Sequence, residues 1–280
     1  MKAHQRLLIA ALLFIALLTG ALLAVVHLQS PSGTSGHPER GGSLRVGFAV
    51  EAPYAFLDAH GQVTGEAPEI FRRMAHRIGV TRIDWVKLDF AQLLPELQLG
   101  RIDAIAAGMF VTPERQKEAL FTQPTARVRS ALIVRPDEQR LPGQPTTADL
   151  PRAPGFRWAT LHGAEENGLL ARAGVPASDI STVPQASRGL RTVAEQTSDG
   201  FVISAVTATR LVAANPQWQL EVRPVQDAPA GYPAFAFRLT DTGLRDAMNE
   251  ELKSFLGTPE HLELVAPFGF TVSELNSPLP

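Results

Sequence analysis

The 280-residue chain contains no cysteine. That excludes disulfides, thiolate metal sites, a cysteine nucleophile and a cysteine-linked lipid anchor in one step. Positive charge is not in excess either: the formal net charge is -2, and setting aside Lys2 and Arg6 near the N-terminus takes it to -4. Nucleic acid therefore finds no basic footprint and is not expected as a partner. His60, His76, His162 and His261 do not fall at metal-ligand spacing and read as surface or structural residues. No metal and no cofactor is expected. Aromatic residues make up only 7% of the chain, with two tyrosines, so any place where they gather stands out.

What the sequence does have begins with an apolar run, LLIAALLFIALLTGALLAVV at residues 7–26, behind a six-residue stretch, 1–6, that carries Lys2 and Arg6 and no acid. This is an export signal. As a helix the run would reach about 30 Å, the thickness of a bilayer's hydrocarbon core, and no clean A-x-A cleavage site follows it. It reads as a signal anchor or a cleaved signal peptide, and either one puts residues 43–280 outside the cytoplasm, in the periplasm or at the outer face of the inner membrane. Residues 27–42 are rich in Ser, Gly and Pro and lack periodicity, which marks a flexible linker.

From Ser43 onward, short apolar runs alternate with amphipathic segments, the pattern of an α/β fold. LRVGFAV (44–50) reads as a buried strand, residues 65–80 as a helix with Ile70, Phe71, Met74 and Ile78 on one face, and 81–88 as a strand. A helix over 90–100 and a strand over 103–110 follow. Thr112, Pro113 and Glu114 then supply an N-cap, a proline and an acid for a further helix. The grammar repeats with strands at 157–161 and 199–206 and a helix at 165–172. LQLGRIDAIAAGM and AEQTSDGFVISAV echo one another. Two similar lobes facing each other over a cleft fit this repeat, with 43–135 and 233–280 forming one lobe and 136–232 the other. The chain would cross between them at 131–138 and 222–239. Asp103 and Asp199, each placed between a helix and a strand, read as turn residues.

Ligands of α/β lobes sit at the carboxyl ends of strands. There the sequence places Glu51 and Tyr54, then Phe90, then Phe110 and Arg115. Arg115 can hold a carboxylate bidentately, Glu51 can pair with a cation, and the three rings offer π faces worth up to about 2 kcal/mol each for a desolvated cation. Each has a bland reading as well: the aromatics as core or rim packing, Arg115 as a solvated ion pair, Glu51 as a surface acid. Taken together they describe a box for a small zwitterionic ligand.

The wording of GFAVEAPYAFLDAHGQVTGEAPEIFRRM, LLPELQLGRIDAIAAGMFVTPER and ELVAPFGFTVSEL resembles the family 3 extracellular solute-binding proteins of ABC importers over about residues 43–275. EAPY, GMFVTPER and APFGFT are most similar to its ectoine and hydroxyectoine binders. The resemblance implies a type II periplasmic-binding-protein fold, two α/β lobes joined by two hinge crossings with the ligand in the cleft. It also implies a binding protein, with no catalytic residues, that acts as a monomer beside ABC permease subunits. Carried over, the carboxylate-binding arginine falls on Arg115, the aromatic box on Tyr54, Phe90 and Phe110, its acid on Glu51, and a backbone contact from the second lobe on Gly163. Ser204 stands where amino-acid binders of the family keep an acid for the ligand's α-ammonium, and Ala164 where they keep a hydroxyl. Burying an ammonium without an acid partner costs several kcal/mol, so a delocalised amidinium such as that of ectoine is favoured over an α-amino acid. Three readings compete: an amino-acid binder, a cyclohexadienyl-dehydratase-like enzyme using Glu165 or Glu166 as acid, and a membrane-tethered sensor.

Overall fold

The computed structural model describes residues 42–275, so the n-region, the apolar run at 7–26 and nearly all of the 27–42 linker lie outside the described residues. The first strand, β1 (Ser43–Phe48), buries Leu44, Val46 and Phe48. Two short strands, β2 (Phe56–Leu57) and β3 (Val63–Thr64), pair with each other and lead into helix α1 (Glu66–Arg77). That helix forms where the 3.6-residue period demands it, with Ile70, Phe71, Met74 and Ala75 fully buried. Glu69 in its first turn complements the helix dipole. Two backbone bonds, Gly79 to His76 O and Val80 to Ala75 O, close its last turn.

The first lobe continues through β4 (Arg82–Lys87), α2 (Leu93–Gln98), β5 (Ala104–Ile105) and β6 (Leu120–Phe121). The second holds β7 (Ser130–Val134), β8 (Trp158–Leu161), α3 (Glu165–Ala173), β9 (Ile180–Val183), α4 (Ala186–Ala194), β10 (Gly200–Ser204), α5 (Ala205–Ala214) and β11 (Glu221–Pro224). The chain then returns with β12 (Ala236–Phe237), α6 (Thr242–Phe255) and α7 (Pro259–Val265). Two five-stranded sheets result, ordered β4-β1-β5-β12-β6 and β11-β7-β10-β8-β9. Each is covered on both faces, as parallel strands require. On the first sheet, Phe71, Met74, Met248, Leu252 and Phe255 pack on one side and Leu93, Leu97 and Ile105 on the other. On the second, Trp158, Leu169, Leu170 and Val202 oppose Leu190, Val193, Phe201 and Ile203.

The two crossings pair with each other, Val128 and Gly231 exchanging backbone hydrogen bonds of 2.9 and 2.7 Å. Strand β7 hydrogen-bonds to β10 and β11. The chain therefore changes sheets before Ser130, earlier than the expected boundary at 135, because the apolar run of β7 is claimed by the second sheet. The helix expected from Thr112 amounts to a single 3-10 turn, Arg115–Lys117. Thr112 does cap it, its Oγ1 accepting from Arg115 N at 3.2 Å. Gln116, Lys117 and Glu118 are all exposed, however, and a helix without an apolar stripe has little to hold it.

Asp103 and Asp199 are more than turn residues. Asp103 Oδ2 accepts from the backbone N and the Nε of Arg45 at 2.9 and 3.1 Å, while Arg45's second terminal nitrogen reaches Asp103 Oδ1 at 2.8 Å and Gly100 O at 2.7 Å. In the second lobe Asp199 takes the backbone N and Nε of Arg157 at 2.9 and 3.1 Å, and that guanidinium reaches Asp199 Oδ1 at 2.9 Å and Gln196 O at 2.8 Å. Each clamp ties the start of one parallel strand to the residue before its neighbour, β1 to β5 and β8 to β10. The echo in the sequence is thus an echo in hydrogen bonding, atom for atom.

Candidate functional site

Glu51 follows the carboxyl end of β1 in a tight loop closed by reciprocal backbone bonds with Ala55 at 2.8 and 3.1 Å. The loop turns Tyr54 inward, where its ring meets Phe110 and Phe270 edge to face, with centroids 6.5 and 5.7 Å apart. Phe90 opens the turn before α2, and Phe110 follows β5, its backbone bridged to Pro233 of the second crossing. A methyl group at Gly231 would lie 2.3 Å from the Phe110 ring, so that ring rests directly on the hinge backbone.

Arg115 reaches from the first lobe to the second. One terminal nitrogen donates to Phe110 O at 2.7 Å, the other to Gly163 O at 2.8 Å, and the guanidinium lies 5.6 Å from the centre of the Phe90 ring. Partial removal from water lowers its pKa somewhat. The carbonyl of Gly163 is aimed by a left-handed backbone, φ +77°, and a side chain there would press on Ala91 at 3.1 Å. At Gly163 the second lobe comes close against Ala91 of the first, and its carbonyl is engaged by Arg115.

Glu51 is buried, and its Oε1 accepts from Thr207 Oγ1 at 2.9 Å, a second bond between the lobes. Thr207 Oγ1 in turn accepts from Ser204 Oγ at 3.0 Å, and Ser204 Oγ caps α5 by accepting from Thr207 N at 3.4 Å. Ser204 thus belongs to the site as an N-cap and as the start of a hydroxyl relay toward Glu51. Burial pushes the Glu51 carboxyl up to about 8, with help from the neighbouring Glu166. The same cause lifts Glu166 to about 7. Glu166 lies at 4% exposure near the start of α3, touched by Ser130 Oγ at 3.5 Å.

Phe90, Phe110, Arg115, Glu51, Glu166, Ile203 and Ser204 line a partly open cavity of about 20 Å3, room for a water and not for a solute of amino-acid size unless the lobes part. Of the seven residues singled out in the sequence, five line this cavity, Gly163 touches it through Arg115, and Tyr54 packs behind Phe110. Ser204, where an acid would be expected in the second lobe, carries a hydroxyl, and Glu166, named in the sequence only as an enzyme's acid, brings a buried carboxyl to the same cavity. Its helical phase carried the signal, because Glu166, Leu169 and Leu170 share the buried stripe of α3. Thr207 left no such signal. Among the described residues no group of His, Asp and Glu is arranged to hold a metal, and no helix is long and apolar enough to cross a membrane.

A family model described as bacterial extracellular solute-binding proteins, family 3, matches residues 44–269. The chain is 28% identical over 241 residues to a probable amino-acid ABC transporter periplasmic-binding protein of Sinorhizobium fredii, covering 82% of this chain and 77% of that one. The crystal structure of EhuB in complex with hydroxyectoine superposes with a TM-score of 0.77 at 30% identity, over 82% of this chain and 89% of that one. A mutant of ArgBP from T. maritima matches with a TM-score of 0.72 at 25% identity, over 81% of this chain and 95% of that one. The fold of these neighbours is the two-lobed arrangement expected from the sequence.

Proposed function

The chain belongs to the family 3 bacterial extracellular solute-binding proteins, and from that premise we propose that it captures a compact zwitterion of the ectoine or hydroxyectoine kind outside the cytoplasm and hands it to an ABC permease. The observation that carries this reading is the placement of Arg115 and the buried Glu51 on one cavity walled by Phe90 and Phe110. An anionic end of the solute would dock on Arg115, whose two bonds to carbonyls leave a further hydrogen on each terminal nitrogen. The cationic end would pair with Glu51, with the rings covering its faces. Binding is a hinge movement about the paired crossings, the two bonds between the lobes breaking and re-forming as the solute enters. The site residues are Glu51, Tyr54, Phe90, Phe110, Arg115, Gly163 and Ser204, and no bond is made or broken in the solute. Residues 7–26 would direct the chain out of the cytoplasm, as an anchor or as a cleaved signal peptide.

An amino-acid ligand is the second reading, favoured by the buried Glu166 and by the relative in Sinorhizobium fredii. A thermal-shift screen of residues 43–280 against ectoine, hydroxyectoine, proline, glycine betaine and the common amino acids separates the two. A rise in melting temperature with ectoine supports the first reading, and no rise at millimolar ectoine sinks it.

A further inference from the structure

The proposed ligand site leaves one buried group without a task. We infer that Glu166 is a ligand-contacting residue: with Glu51 it forms a two-lobed carboxyl clamp that selects solutes whose cation offers at least two N–H donors, a primary ammonium or an amidinium, over a fully substituted ammonium. The inference rests on the zwitterion-binding reading and narrows its substrate class.

The geometry comes from both lobes. Glu51 stands on the loop after β1, Glu166 in the first turn of α3, and both line the same cavity at 7% and 4% exposure. Neither is tied into an ion pair. The nearest cation, Arg115, donates to the carbonyls of Phe110 and Gly163 instead of to either carboxyl. Glu51 has a single hydroxyl donor in Thr207, and Glu166 a long contact from Ser130. Two carboxyls accept at four oxygens, so the pair keeps acceptor capacity directed at the cavity.

An amino-acid-like cation placed between the two carboxyls draws one N–H bond from each lobe and so favours closure, which a cation lacking N–H cannot do. The charged and titratable groups that face Glu166 are Glu51, Arg115, Glu165 and Tyr54. With Glu51 and Glu166 raised to about 8 and 7, entry of a cation at neutral pH shifts two partly protonated carboxyls toward the ionised form. Each ionisation releases one proton to buffer.

The test is calorimetry at pH 7 on the protein and on Glu166→Gln, in two buffers of different ionisation enthalpy, with ectoine, proline, an unsubstituted amino acid and glycine betaine. The clamp predicts proton release on binding of N–H cations. It also predicts that Glu166→Gln weakens those ligands about 10-fold or more while changing glycine betaine little. Circular dichroism of the variant checks its fold. Should it not fold, Glu166→Met is measured in its place, and unchanged affinity of that variant for N–H cations overturns the clamp. Unchanged affinity for N–H cations in Glu166→Gln overturns the clamp and leaves the zwitterion reading standing, whereas failure of the unaltered protein to bind any of these solutes overturns both.

Discussion

At the scale of single residues, Arg115 is the side chain on which capture turns. Hydrogen bonds to a charged group are worth about 1.5 to 3 kcal/mol, so Arg115→Ala is expected to weaken binding of a carboxylate-bearing solute by roughly 10- to 100-fold in calorimetry. Arg115→Lys would restore the charge without the planar fork and should recover only part of the loss. Glu66 makes a different prediction. It is fully buried in the first turn of α1, and burial raises it to about 7 from an ordinary 4.5, against the smaller opposing pull of the Thr125 hydroxyl. A carboxyl raised in the folded state binds its proton more tightly there than in the unfolded chain. Its contribution is whole below the unfolded value near 4.5 and is lost as pH rises through 7. Glu66→Gln should therefore leave the urea midpoint unchanged at pH 4 and raise stability at pH 8 by about 2 to 3 kcal/mol. Stability that falls equally with pH in both proteins would refute this account.

Elements show where the sequence spoke clearly and where it did not. Helix α1 was legible because Ile70, Phe71 and Met74 repeat at helical spacing and Gly79 stops them. The turn at Arg115 was overread because cap chemistry at Thr112 is local, while helix persistence depends on a buried face that residues 116–118 do not provide. Glu166 was legible in the sequence only as a candidate acid for an enzyme; its place on the wall of the site follows from its phase with Leu169 and Leu170 on the buried stripe of α3. The twin clamps were half legible: their acids could be seen at matched places in the repeat, but their arginines lie 58 and 42 residues upstream, beyond any local pattern. Their loads differ. Asp103 accepts from Arg45 and Arg238, whereas Asp199 meets Arg135, Arg140 and Arg157 at 3.3, 3.2 and 2.9 Å. Asp199→Asn is expected to cost about 2 kcal/mol in urea unfolding and Asp103→Asn less, with the arginines' own exposure moderating both. Equal losses would show that the extra cations around Asp199 add nothing.

For the molecule as a whole, the hinge and the binding surface share atoms. Phe110 lines the cavity and is seated on Gly231 of the second crossing, which pairs with Val128 of the first. Gly231→Ala must displace the ring, an overpacking cost of about 1 to 3 kcal/mol. The expected result is a lower melting temperature together with weaker solute binding. Intact affinity would mean that the Phe110 ring is not part of the binding surface. The two sheets also differ in how the chain supplies them. The five strands of the second sheet come from one unbroken stretch, 130–224. The first sheet has β12 lodged between β5 and β6, and that strand is delivered only after the whole second lobe has been threaded. Short loops close sooner than long ones. On dilution from denaturant, amides that pair β12 with β5 and β6 should accordingly gain protection from exchange after those of β1, β4, β7, β8 and β10, so the lobe that holds Arg115 is completed last, and recovery of solute binding times the completion of folding.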